Sequence, residues 1–183
     1  MATTHAARNT RSPQRGLTLL ELAIVVAVTA IVAAAAAPSF TTLIDGRRLD
    51  SAAMRLAADI QLARSEAIAR NRPLRLSLLA GIGATCWIVH SGLPADCRCS
   101  DAGGAVCTAG ARMVKGVMLA DRERVSVAGN VASIVFDPLH GTSTPTGTLR
   151  VVGARRAVHH IVNVVGRVRS CSPDGAVAGY SPC

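Results

Sequence analysis

Aromatic residues are scarce, at 2% of a 183-residue chain, and acids are outnumbered by Lys and Arg, 11 against 20. Half of the chain is nonetheless hydrophobic, so its apolar content is Ala, Val, Leu and Ile rather than large rings. No internal repeat recurs, which argues against a repeat architecture. No Ser/His/Asp or paired-carboxylate spacing stands out, and Gly81-Ile82-Gly83 lacks the helix start that a phosphate-binding loop requires. Neither enzymatic chemistry nor a cofactor is therefore expected. The length suits one ordinary domain with an appendage rather than two domains.

What is abundant is concentrated. From Leu17 to Ala37 there are 21 residues whose only charge is Glu21, and a helix of that length spans roughly 31 Å, close to a bilayer's hydrocarbon thickness. A secretory signal peptide has a shorter apolar region, of about 7 to 15 residues, and no acid near its start. Residues 1–16 carry Arg8, Arg11 and Arg15 without an acid, which keeps that end in the cytoplasm and exports the rest. Removing those three arginines lowers the formal charge from +9 to +6, a basic balance that favours anionic partners without naming one. All six cysteines, Cys86, Cys97, Cys99, Cys107, Cys171 and Cys183, lie beyond the apolar run, in what would be an oxidising compartment, and read as disulfides. A four-thiolate zinc site from the first four fits no spacing of that kind, so no metal is expected. Connectivity stays open, although Cys171 and Cys183 bracket a short tail and are suited to pair.

Past Pro38, where a helix would loosen, the pattern turns amphipathic. Leu49, Ala53, Leu56, Ile60, Ala63 and Ala67 recur at three- and four-residue steps, with Arg47, Arg55, Asp59 and Arg70 off that stripe. Asn71-Arg72-Pro73 stops the helix. Period-two alternation follows at Leu74, Leu76 and Leu78. Further strands are predicted at Thr85–His90, Met113–Leu119, Arg124–Val127, Ala132–Asp137, Thr148–Val152 and Ala157–Val164. Residues 92–110 have no clear period and read as a disulfide-tied loop. His159 and His160, adjacent in a strand, point to opposite faces and suit a surface and a core imidazole rather than one ion. The fold class is α+β: one long helix packed on antiparallel meanders.

Arg15-Gly16-Leu17-Thr18-Leu19-Leu20-Glu21-Leu22 resembles the processing signal of type IV prepilins: a basic leader ending in Gly, then an apolar run with Glu at its fifth position. The resemblance implies cleavage by prepilin peptidase after Gly16 and N-methylation of Leu17, although Phe is commonest at that position. It also implies that Glu21 pairs with the N-terminal amine of a neighbouring subunit during assembly. An unpaired intramembrane carboxylate costs about 2.5–3.5 kcal/mol on insertion scales. The plainer alternative is an acid favoured at a helix start by the macrodipole. Residues 56–79, Cys86-Trp87-Ile88-Val89, Ile134–Gly141, Thr148–Val152, Ala157–Val164 and Gly166-Arg167-Val168-Arg169 further resemble the GspH/FimT family of minor pseudopilins, with only residues 92–112 lacking a counterpart.

In the FimT branch a GRxR segment is associated with DNA binding during natural transformation, so the resemblance implies Gly166, Arg167 and Arg169 as DNA-binding residues; the local charge adds Arg155 and Arg156 as supporting candidates. Independently, Arg167 and Arg169 project to one face of an extended chain, Gly166 permits close backbone approach, and two guanidiniums suit successive phosphates. Residues 145–183 carry five arginines against Asp174 alone. With no aromatic in the motif, base stacking has little support. The other reading is a solvated edge strand whose arginines discourage sheet-to-sheet pairing.

The expected organisation is a cleaved leader at 1–16, a membrane helix at 17–40, its amphipathic continuation at 41–71 and a β-rich periplasmic domain at 72–183, held in the inner membrane by one span. The expected function is that of a FimT-like minor pseudopilin of a type IV pilus, with other pilins, prepilin peptidase and extracellular DNA as expected partners. The alternatives are a GspH-type subunit of a type II secretion system, touching exported proteins, or a structural pilin that binds no DNA.

Overall fold

The computed structural model describes residues 16, 18–81, 83–100, 104–108, 110–173, 175 and 177–183, and no side chains at 37–39; the leader arginines, Leu17 and Asp174 lie outside the described residues. The chain divides into two compact units, Met1–Phe40 and Thr41–Cys183. Helix α1, Leu19–Ala69, supplies the described helical residues of the first unit and the first element of the second, with helical backbone running through Pro38. Its end is a Schellman motif: Asn71, at φ 48°, donates its N–H to Ile68 O (3.1 Å), and Arg72 donates to Ala67 O (3.1 Å), so an asparagine takes the left-handed position usually held by glycine.

The strands are β1 (Leu74–Gly81), β2 (Ala84–His90), β3 (Cys97–Ser100), β4 (Gly104–Cys107), β5 (Met113–Ala120), β6 (Ser126–Gly129), β7 (Ser133–Phe136), β8 (Ser143–Thr144), β9 (Gly147–Val152), β10 (Ala157–Val162) and β11 (Val168–Cys171). They form a five-stranded sheet in the order β5-β2-β1-β7-β8, a four-stranded sheet in the order β11-β10-β9-β6, and the hairpin β3-β4. Every pairing between these strands is antiparallel. The α+β class therefore holds, but only the β9-β10-β11 half is a plain meander. The strand expected at Arg124 begins two residues later, because Arg124 caps the 3-10 turn Asp121–Glu123 at φ 58°. The strand expected to reach Val164 ends at Val162, because Asn163 opens a turn.

The stripe Leu49, Ala53, Leu56, Ile60, Ala63 and Ala67 is at most 2% exposed and lies in one core with residues from both larger sheets, including Leu76, Trp87, Phe136, Leu149 and Val158. The sequence places Asp59 off this stripe; it is in fact 1% exposed, one turn-pair beyond buried Ala52. Its carboxylate accepts from Trp87 Nε1 at 2.8 Å and pairs with Lys115 Nζ at 2.5 Å, so each oxygen is satisfied.

β2 is buried from Cys86 to His90 without alternation because both of its faces are covered. One face carries Trp87 and Val89 into the main core. The other carries Cys86 and Ile88 against the β3-β4 hairpin, which is stapled by Cys97–Cys107 and tied to β2 by Cys86–Cys99. The segment without a readable period is thus a disulfide-held cover on the five-stranded sheet. Ser77, opposite Ile88 on that face, is also buried, and its hydroxyl bonds His90 Nε2 at 2.9 Å. The third bridge joins Cys171 to Cys183, and Tyr180 ties the tail to α1 by donating to Asp50 Oδ1 at 3.1 Å. Burial and the Asp50 carboxylate push the Tyr180 hydroxyl up to about 12.

Candidate assembly helix and basic edge

Gly16 is exposed, and Thr18 precedes the first helical residue. Glu21 donates its backbone N–H to Thr18 Oγ1 at 3.2 Å, the N-cap half of the T-x-x-E capping box that Thr18-Leu19-Leu20-Glu21 spells. The side chain of Glu21 sits in the first turn, where the helix dipole favours an anion. From Leu19 on, large apolar residues stand on the surface, among them Leu19 at 86%, Ile31 at 70% and Phe40 at 63% exposed. Thr29 returns its hydroxyl to Val25 O (2.8 Å), so it presents no unbonded donor. This part of α1 is long and apolar enough to cross a membrane, with none of its most apolar window buried.

At the other end of α1, Asn163-Val164-Val165-Gly166 forms a turn in which Gly166 N donates to Asn163 O (2.9 Å) and takes φ 71°. Asn163 N donates to Arg167 O (3.1 Å) and Arg167 N to Asn163 Oδ1 (2.9 Å), closing the β10-β11 hairpin. Gly166 is buried: a Cβ there would lie 2.5 Å from Gly141 O and 2.9 Å from Arg64 Cδ. The close approach that this glycine permits is made by the protein's own backbone and by Arg64, rather than from solvent. Arg64 Nε donates to Gly141 O at 2.8 Å, and Ser143 donates to Val164 O (2.8 Å) and Asn163 O (2.6 Å), so α1 and both larger sheets meet at this turn. Arg64 was not among the sequence candidates; its only signal is a charge beside the stripe residue Ala63. Gly166→Ala is expected to lower stability by about 2 kcal/mol, from left-handed strain and the forced shift of Gly141. Urea unfolding followed by Trp87 fluorescence measures it, and an unchanged midpoint would contradict the packing described.

Arg167 and Arg169 are both exposed, beside and on the edge strand β11. Arg169 Nη2 donates to the backbone oxygen of Cys183 at 3.2 Å, which the Cys171–Cys183 bridge holds nearby. Arg169 lies opposite Ile161 and Arg150 opposite His159, so the register puts Arg150 and Arg169 on the same outward face. Two strand spacings and two residues separate them by about 12 Å. Arg150 was not singled out from the sequence, although the alternation in Thr148–Val152 already points it outward. Arg155 and Arg156 are not part of this group. They lie in the β9-β10 turn, at the opposite end of β10 from the Asn163–Arg167 turn, and line a cleft with Thr41, Asp45 and Arg124.

His159 and His160 take opposite faces as expected, His160 fully buried and His159 half-buried. His160 Nδ1 bonds Ser170 Oγ at 2.8 Å, while its buried Nε2 has no hydrogen-bond partner among the described residues. Burial pushes the imidazole down to about 4, with the Ala53 backbone opposing and His159 adding to the shift.

The chain is similar to known proteins in both of its parts. The fold aligns with the crystal structure of the type IV minor pilin FimU of Pseudomonas aeruginosa (strain PAO1) at 19% identity and a TM-score of 0.49, over 67% of this chain and 87% of that one. A 70-residue stretch is 41% identical to type II secretion system protein H of Xanthomonas campestris pv. campestris, spanning 38% of this chain and only 41% of that relative's length. The prokaryotic N-terminal methylation motif matches residues 11–37. The family described as type II transport protein GspH matches residues 52–166, from the buried stripe of α1 to the glycine that closes against Arg64. By that match over most of its length, the chain belongs to the GspH family and is a minor pseudopilin.

Proposed function

We propose that this minor pseudopilin is processed after Gly16, anchored in the inner membrane by its apolar helix with the Thr41–Cys183 unit in the periplasm, and packed into a filament through that helix. The exposed apolar surface of Leu19–Phe40, with Glu21 as its one acid, carries the reading. Such a surface is stable only in lipid or against other helices, and a carboxylate within it calls for a cationic partner, for which the amine of Leu17 in an adjoining subunit is suited. Glu21→Val is expected to leave the chain in the membrane fraction while lowering its incorporation into filaments roughly tenfold, the effect of losing one charged hydrogen bond. Unchanged incorporation would rule out the pairing.

Between filament systems, the type II secretion pseudopilus is the better supported, because the matched family and the Xanthomonas relative both carry that description. Its partners would be other pseudopilins and the exported proteins they move. A second reading, a type IV pilus subunit that binds DNA, is favoured by the exposed Arg167 and Arg169 with Arg150 on the same outward face as Arg169. Binding of that kind goes to phosphates and weakens steeply with salt. In a titration of the purified protein with duplex DNA, Arg167→Ala with Arg169→Ala is expected to reduce the log-log salt slope by about 2. Absence of binding at low salt, or an unaltered slope, would leave the secretion reading alone.

A further inference from the structure

Arg155 and Arg156, removed from the basic edge by the fold, belong to a different site. With Arg124 and the first two turns of the second unit, they line a cleft of about 140 Å³ that also takes in Thr41, Thr42 and Asp45. Three guanidiniums face one carboxylate there, and Asp45 is already paired with Arg124 at 3.0 Å. The remaining two arginines are exposed on a short turn. The cleft therefore attracts an anion, and forked guanidiniums match a phosphate group. It is too small for a folded partner.

Its place in the chain points to the source of that phosphate. Thr41 directly follows Phe40, and the residues of α1 that line the cleft begin there and run to Leu49. Leu19–Phe40 as helix covers about 33 Å, the hydrocarbon thickness of a bilayer, and the headgroup layer adds several ångströms on each side. Thr41 to Asp45 span at most about 8 Å of helix beyond that limit, which is the depth of lipid phosphates. We propose that this cleft binds the phosphate of an anionic phospholipid headgroup in the outer leaflet, seating the second unit on the membrane before the subunit enters a filament. The inference rests on the reading that Leu19–Phe40 spans the membrane.

The test uses the full chain in vesicles of phosphatidylcholine mixed with phosphatidylglycerol, counting lipids retained on release by native mass spectrometry. The expected result is enrichment of phosphatidylglycerol that falls roughly tenfold or more in Arg155→Gln with Arg156→Gln, from the loss of two surface cations. A charge-matched control, Arg98→Gln with Arg112→Gln, keeps the enrichment. Carbonate extraction of the same vesicles separates the two levels of failure. A chain that washes off overturns the anchor and the proposal with it. An inserted chain without lipid preference, or with the same preference in the Arg155/Arg156 variant, overturns the proposal alone. Protection of Trp87 unfolding by inorganic phosphate as strong as by phosphatidylglycerol would assign the cleft to a soluble anion. Protection by an acidic peptide but not by lipid would assign it to a protein segment. Either outcome overturns the headgroup assignment.

Discussion

Replacing Lys115 by Met is expected to cost about 3–5 kcal/mol of stability, more than replacing its partner, Asp59, by Asn. The asymmetry follows from burial. Asp59 is 1% exposed on the core side of α1, whereas 43% of the Lys115 side chain reaches solvent. Without Asp59 the ammonium can turn to water along its flexible stem, and an Asn carbonyl still accepts from Trp87 Nε1, so Asp59→Asn should cost about 1–2 kcal/mol. Without Lys115, the carboxylate keeps only the indole N–H and stays buried without a counter-charge. The double variant Asp59→Asn with Lys115→Met should regain much of the loss, since it removes the uncompensated charge rather than adding to it. Trp87 is the sole tryptophan and donates to Asp59 directly, so its fluorescence reports both unfolding and the local environment. Equal losses in the two single variants, or a double variant at the sum of the singles, would show that the pair does not carry its buried charge in this way.

Asp59 also marks where the sequence is hard to read. A helix stripe is recognised by its apolar residues, and the six that recur from Leu49 to Ala67 are buried as their spacing dictates. An acid one row over carries no sign of whether a cation waits across the core. That cation lies 56 residues away on β5. The period-two segments were legible because one of their faces meets the core, whereas β3 and β4 are held by Cys97–Cys107 and Cys86–Cys99 rather than by an alternating pattern. For the candidate sites the division is similar. The N-terminal cap and Glu21 are local in sequence and could be read directly. The role of Gly166 depends on Gly141 and Arg64, which a local motif does not contain. Arg155 and Arg156 are near Arg167 along the chain, while the hairpin turns put them at opposite ends of β10.

Acid should loosen the fold through β10. His160 is neutral in the folded chain until its lowered pKa of about 4, while in the unfolded chain it binds a proton near the ordinary 6.5. Between those values the unfolded state holds more protons, so stability falls as pH falls through the window and levels off below it. The shift corresponds to about 3 kcal/mol. His90, also lowered by burial, acts in the same direction, so the informative quantity is a difference between proteins. The loss between pH 7 and pH 4 should be about 3 kcal/mol smaller in His160→Gln than in the parent, with urea unfolding by Trp87 fluorescence as the measurement. Equal pH dependence in the two would mean that His160 is protonated in the folded state at ordinary acidity. The geometry explains why it should not be: Nδ1 is engaged by Ser170 on β11, Nε2 lies buried without a partner among the described residues, and His159 follows the opposite face of the same strand. A proton on Nε2 would place charge where α1 packs on the four-stranded sheet near Ala53. Separating those layers would be the way to hydrate it, and would also release the edge that carries Arg169.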